Sequence, residues 1–213
     1  MRYNIKAEKF FTEEEKTRIK ETTQDVESRT IGEVVVMVVD SSDQYIEAEF
    51  IEGMLVGSIL SLILTILYFH YSIWVYIPLS FLFFFPSWFI FNRIPVVKTA
   101  FIGIKRKEHA VRERAVRAFY ERGLYKTKKN TGVLFFLSLL ERKVWVLADS
   151  GIYEKITQET LNRFAKSVSQ GIRDGRACDV LCEVMKETGE LLAINFPITP
   201  DDIDELPDEV ITE

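Results

Sequence analysis

Between Gly53 and Asn92 the chain carries no Asp, Glu, Lys or Arg. As a single helix these forty residues would run about 60 Å, roughly twice the hydrocarbon core of a bilayer. The segment therefore has to fold back on itself. The polar trio His70-Tyr71-Ser72 divides it into residues 53–69 and 73–92, which give about 26 and 30 Å of helix, enough for one span each. Tyr68, Tyr71, Trp74 and Tyr76 gather around the proposed turn, as aromatics do at a bilayer surface, and His70 belongs at that interface. Pro78 and Pro86 are expected to bend the second helix without preventing insertion. A chain of 213 residues is too short to wrap two helices that are apolar on every face. The block reads as a two-helix transmembrane hairpin.

The flanks predict its orientation. Asp40, Asp43, Glu47, Glu49 and Glu52 lead into the first span, whereas Arg93, Lys98, Lys105, Arg106 and Lys107 follow the second. The turn between the spans has no Lys or Arg. Because basic residues stay on the cytoplasmic side, both ends of the hairpin are expected there. The first eleven residues lack the apolar stretch of a signal peptide, so a two-pass protein with both termini and the soluble part cytoplasmic is expected. All 59 charged side chains fall in the 173 positions outside the block, with 27 basic against 32 acidic. Cys178 and Cys182, four residues apart on a predicted helix, fit small buried residues of a reducing compartment.

The remainder reads as an α/β fold split by the hairpin. Thr12-Glu13-Glu14-Glu15 has the pattern of a capping box and opens a helix to about Val26, burying Ile19, Thr23 and Val26. Residues 33–39, Glu-Val-Val-Val-Met-Val-Val, form a strand apolar on both faces, as a covered central strand is. A helix is predicted over 105–122, burying Val111, Ala115, Ala118 and Phe119. Asn130-Thr131-Gly132 then turns into a second strand at 133–140, and a two-residue connection, Glu141-Arg142, leads to a third at 143–148. Thr157 caps a helix to Gln170, and Asp174-Gly175 precedes a last helix with Val180, Leu181, Val184, Met185, Leu191 and Leu192 at helical spacing. Strands one and two should be parallel, and two and three antiparallel. That pairing requires an even number of spans between the first two strands. The domain boundaries are then 1–50 with 105–197 for the split domain, 53–92 for the hairpin, and 198–213 for an acidic tail. The tail holds seven acids and no base and is expected to be solvated, with docking to a basic partner as the alternative.

The element order and several motifs resemble the TPM-domain family, named for thylakoid-lumen, photosystem-repair and worm receptor-accessory proteins. The matching stretches are Thr30-Ile31-Gly32-Glu33 before the valine run and Asn130-Thr131-Gly132-Val133-Leu134. Asp149-Ser150-Gly151-Ile152, Ile156-Thr157 and the Gly175 turn complete them, and together they cover about residues 10–50 and 105–197. The resemblance implies a small mixed sheet sandwiched by helices and often membrane-anchored. Divalent-cation binding and weak acid phosphatase activity in some members are also implied. Gln158 stands where relatives often place an acid.

Strand directions predict which polar residues meet. Glu33, Asn130 and Asp149, with Ser150 beside them, fall at one end of the sheet, away from Asp40 and Glu141-Arg142. Two carboxylates and an amide oxygen suit Ca²⁺ or Mg²⁺, with Glu33 and Asp149 as the metal ligands; alternatively Asn130 and Asp149 are turn formers and Glu33 an edge charge. No residue is assigned a catalytic role, since no phosphate-binding loop, nucleophile elbow or histidine pair occurs. The basic stretch 105–117 is expected to meet anionic lipid headgroups, with the acidic stem 47–52 as a second candidate. Nucleic acid is excluded by the acidic balance and the absence of interleaved basic and aromatic residues. The favoured function is a membrane-tethered, non-enzymatic interaction module that helps assemble a membrane complex with a membrane protein partner. The alternative is a metal-assisted phosphatase acting on phosphate monoesters.

Overall fold

The computed structural model describes residues 6–69, 72–92, 102–127, 129–200 and 205–213. His70 and Tyr71 of the proposed turn, Arg93 and Lys98 of the basic flank, and Asp201, Asp202 and Asp204 of the acidic tail lie outside them. The chain divides into two units: Met1–Ser42 with Glu108–Glu213, and Asp43–Lys107.

The first unit is an α/β fold. Helix α1 (Glu13–Glu27) opens on the predicted capping box, in which Thr12 Oγ1 accepts the Glu15 N–H and the Glu15 carboxylate accepts the Thr12 N–H. Strand β1 (Glu33–Val39) is buried along its whole length. It pairs in parallel with β2 (Gly132–Ser138), and β2 pairs antiparallel with β3 (Lys143–Ala148), as strand direction predicted. Period-two alternation sorts the side chains into two cores. Val34, Val36 and Val38 align with Val133, Phe135 and Leu137. They pack against helices α1, α6 (Gln158–Arg173) and α7 (Ala177–Asn195). Val35, Met37, Val39, Leu134 and Phe136 face the other way, onto Val111, Ala115, Ala118 and Phe119 of helix α4. Helix α4 spans Ile104–Glu121. β-branched and aromatic residues on both faces of β1 and β2 thus specify a sheet covered on both sides.

Three features depart from the sequence reading. Strand β2 ends at Ser138, and four residues, not two, connect it to β3. The amides of Leu139 and Leu140 both donate toward β1, to the carbonyls of Val39 and Asp40, so the alternation of a strand has already stopped there. A one-turn helix, α5 (Ser150–Tyr153), follows β3, capped by Asp149. The third departure corrects the solvated tail. Residues 205–213 lie on the fold, and Ile211–Thr212 form a fourth strand, β4, parallel to β1. The sheet order is β3-β2-β1-β4. The acid count hid an apolar pattern: Val210 packs on one core, and Leu206 and Ile211 on the other. The tail's charges meet cations far away in sequence, with Glu209 pairing to Lys20 and Glu213 to Arg114 and Arg122.

The second unit holds helices α2 (Ile46–Tyr68) and α3 (Ile73–Asn92). Both are long and apolar enough to cross a membrane. Helix α2 starts seven residues before the expected span, so the acidic stem is its first turns rather than a loop. Gly53 and Gly57 put α2 backbone against α3, where a Cβ on Gly57 would stand 2.9 Å from the Phe84 nitrogen. One turn further on, Ser61 Oγ donates to the Tyr76 carbonyl at 3.0 Å, and Ser58 and the Tyr76 hydroxyl are 2.5 Å apart. Small and polar residues therefore face inward, the arrangement by which helices pack in lipid. Ile59, Leu62, Ile66, Phe81, Leu82 and Phe85 are exposed. At the base, Arg106 pairs with Asp43 at 2.5 Å and Glu47 at 2.9 Å and lies over the Tyr45 ring. The second candidate partner of the basic stretch, the acidic stem, is engaged by Arg106.

Candidate functional site

The residues that strand directions bring together lie where β1 and β2 begin and β3 ends. Thr30 and Thr131 build the floor of this end. The Thr30 hydroxyl donates to the Phe196 carbonyl at 2.6 Å and accepts the Gly32 N–H, while Thr131 Oγ1 donates to the Ile31 carbonyl at 3.0 Å. Glu33 N–H donates to the Thr131 carbonyl, and Glu33 sits beside Gly132 in the parallel register. Asp149 N–H donates to Gly132 from the opposite side. Glu33, at the start of β1, and Asp149, just past the end of β3, therefore stand on either side of β2, about 10 Å apart along the hydrogen-bonding direction. Alternation places both on the face of the sheet that α4 covers.

Leu124 lies between them. A Cβ on Gly132 would stand 2.7 Å from the Leu124 carbonyl oxygen and 3.0 Å from its Cβ. Asp149 Oδ1 accepts the Ser150 N–H at 2.6 Å and the Ser150 hydroxyl at 3.2 Å, capping α5 as a turn former does. Its Oδ2 is buried and accepts no hydrogen bond among the described residues. Asn130 is exposed in the left-handed region, at φ 56°, which Asn tolerates better than most residues. The turn it makes packs on the next one: a Cβ on Gly151 would stand 2.5 Å from the Lys129 carbonyl oxygen and 2.8 Å from that of Asn130. The structure thus brings Glu33, Asn130 and Asp149 to one end of the sheet and gives Asn130 and Asp149 turn-forming work. Among the described residues no three His, Cys, Asp or Glu side chains are grouped to hold a metal.

Glu33 has acidic neighbours that sequence reasoning missed. Its Oε1 accepts the Glu205 N–H at 3.3 Å. Glu27, at the end of α1, accepts the Val34 N–H at 2.9 Å. Burial, followed by the charge of Glu33 and contact with Asp208, pushes the Glu27 carboxyl up to about 9. Glu27 lies six residues before Glu33, a nearness in sequence that could have signalled the contact. Glu205 and Asp208 left no such signal, because the fourth strand that delivers them was invisible.

This half of the sheet is also where comparison with known proteins bears. The TPM domain model matches residues 94–180. The match begins where the apolar block ends, and takes in β2 and β3 with the turns just described; α1 and β1 lie on the far side of the insertion. In three dimensions the likeness is wider. The NMR structure of BA42 protein from the psychrophilic bacterium Bizionia argentinensis has the same fold, with a TM-score of 0.60 at 20% identity over 97% of each chain. No curated protein sequence matches.

Proposed function

We propose that the chain is a two-pass membrane protein whose TPM-like α/β unit is tethered on the cytoplasmic face. There it acts as a non-enzymatic interaction module in the assembly or upkeep of a membrane complex. One observation carries the tethering. Strands β1 and β2 flank the hairpin in sequence and pair residue for residue in space, so both ends of the hairpin leave from one side of any bilayer that α2 and α3 cross. The bases that follow the second span support the cytoplasm as that side. The exposed Arg112 and Arg117 on α4 suit anionic headgroups as a further attachment. The binding role is supported by the work Asn130 and Asp149 already do within the fold, as turn and cap.

A second reading, metal-assisted hydrolysis of phosphate monoesters, is favoured by one atom, the buried Asp149 Oδ2 without a donor. Two measurements test the pair. A Cys placed at Ser72 should be modified by a membrane-impermeant maleimide only from the non-cytoplasmic side, and labelling from the cytoplasm alone would overturn the tethering. Purified protein with millimolar Ca²⁺ or Mg²⁺ should leave p-nitrophenyl phosphate intact. Metal-dependent turnover lost in Asp149→Asn would replace the interaction reading with the enzymatic one.

A further inference from the structure

Residues 205–213 run along the edge of β1 opposite β2. Strand β4 pairs with Met37 and Val38, Glu213 N–H donates to the Val38 carbonyl at 3.0 Å, and Asp40 N–H to the Glu213 carbonyl at 2.8 Å. Successive side chains of an extended chain point to opposite faces, so Val210 packs on one core and Ile211 on the other. The acids on either side of this apolar pair meet bases from two helices. Glu209 pairs with Lys20 of α1 at 2.6 Å, and Glu213 pairs with Arg114 of α4 and with Arg122 just past its end. Yet the segment is held lightly. Strand β1 is buried throughout, whereas residues 205–213 are all half-buried or exposed. The ladder spans two residues, and ion pairs open to water contribute a factor of about two to three each. The segment lies on the fold as a ligand lies in a groove. That groove supplies the three parts of strand addition: backbone groups on β1, separate seats for alternate side chains, and charge that selects the incoming strand.

We propose that the β1 edge is a docking site for an extended segment of a partner protein, and that residues 205–213 occupy it in cis as a competitor of that segment. The partner segment carries two acids four residues apart with an apolar pair after the first, as Glu209-Val210-Ile211-Thr212-Glu213 does. The inference rests on the interaction-module reading above and names the chemistry of the partner. Charge decides for an acidic occupant. A neutral or basic strand that displaced the resident one would strip Lys20, Arg114 and Arg122 of their carboxylates and put nothing in their place. The partner docks only on molecules whose own segment has lifted, so its apparent affinity is the intrinsic one reduced by that fraction. A tethered segment competes at an effective concentration of about millimolar order, and a partner held in the same membrane gains a comparable advantage.

The probe is a fluorescein-labelled peptide of residues 205–213, titrated with the full chain in detergent micelles and read by anisotropy. Near-ultraviolet circular dichroism reports the fold. Glu209→Gln with Glu213→Gln in the chain loosens the resident segment and leaves Lys20, Arg114 and Arg122 in place. That variant should bind the peptide about tenfold more tightly than the parent, the product of three exposed ion pairs. Lys20→Glu, added to it, should weaken the peptide, and a peptide carrying Glu209→Lys should regain what was lost. If the double variant does not fold, Glu209→Gln alone, at a side chain 64% exposed, carries the comparison with a gain of about two- to threefold. Binding in micelles involves neither bilayer sidedness nor phosphatase turnover, so its failure leaves the tethering and the non-enzymatic reading to their own tests. Equal binding by parent and variants, binding indifferent to the charge swap, or no binding by a folded variant overturns the proposal. A variant that dimerises through its own segment, with sedimentation unchanged by excess peptide, gives the edge to a second copy and overturns the assignment to a partner.

Discussion

A methyl group on Gly151 would stand 2.5 Å from one carbonyl oxygen and 2.8 Å from the next, and both belong to backbone that has no rotamer to yield. Gly151→Ala should therefore separate the Asp149–Ser150–Gly151 turn from the Lys129–Asn130 turn and cost about 1–3 kcal/mol, the range of an overpacked site. Urea denaturation monitored by circular dichroism measures it, and a loss below about 0.5 kcal/mol would contradict the close approach. Cys178 supports a second expectation at this scale. Burial first, and the neighbouring Cys182 next, push its thiol up to about 12, and its S–H points to the Glu15 carbonyl at 3.8 Å. The thiolate is the reactive form, so iodoacetamide at pH 8 should leave Cys178 unmodified in the folded protein and alkylate it in urea. Prompt labelling of the folded chain, read by mass spectrometry, would show that the thiol is neither buried nor raised.

Among the elements, those specified by local chemistry were legible from sequence and those specified by distant partners were not. The capping box of α1 is local: Thr12→Ala removes the acceptor for the Glu15 N–H and should lower the denaturation free energy by about 1 kcal/mol. Glu15→Gln, which retains a side-chain acceptor for the Thr12 N–H, should cost less, and no loss in Thr12→Ala would mean that the α1 terminus owes nothing to the threonine. Strands β1 and β2 were legible for a related reason, since apolar residues on both faces admit only a covered position in a sheet. Strand β4 was not. Its two residues have no periodicity to read, and its place depends on Lys20, Arg114 and Arg122, which lie 91 to 189 positions away. The candidate site divides the same way. Strand order placed Glu33, Asn130 and Asp149 at one sheet end, while Leu124 between them and Glu27, Glu205 and Asp208 beside Glu33 emerge only when a short helical turn and the final segment fold onto it.

At the scale of the whole molecule, the insertion is compatible with the sheet because the two units divide their apolar residues cleanly. Among the described residues, every member of both α/β cores lies in Met1–Ser42 or Glu108–Glu213. Within α2 and α3, Ser58, Ser61 and Thr65 find hydrogen-bond partners inside the pair, as polar side chains of helices crossing hydrocarbon would have to. Removing residues 53–92 and joining the ends with a flexible linker thus takes away no core contact of the α/β unit. It changes the loop that brings β1 to β2, and loop-closure entropy varies only by about 0.6 kcal/mol for each doubling of loop length. The shortened protein should be soluble without detergent and unfold in one cooperative thermal transition, with the β1–β2 amides strongly protected from exchange. Aggregation, or melting without a transition, would mean that the sheet needs the α2–α3 hairpin to bring its two halves together.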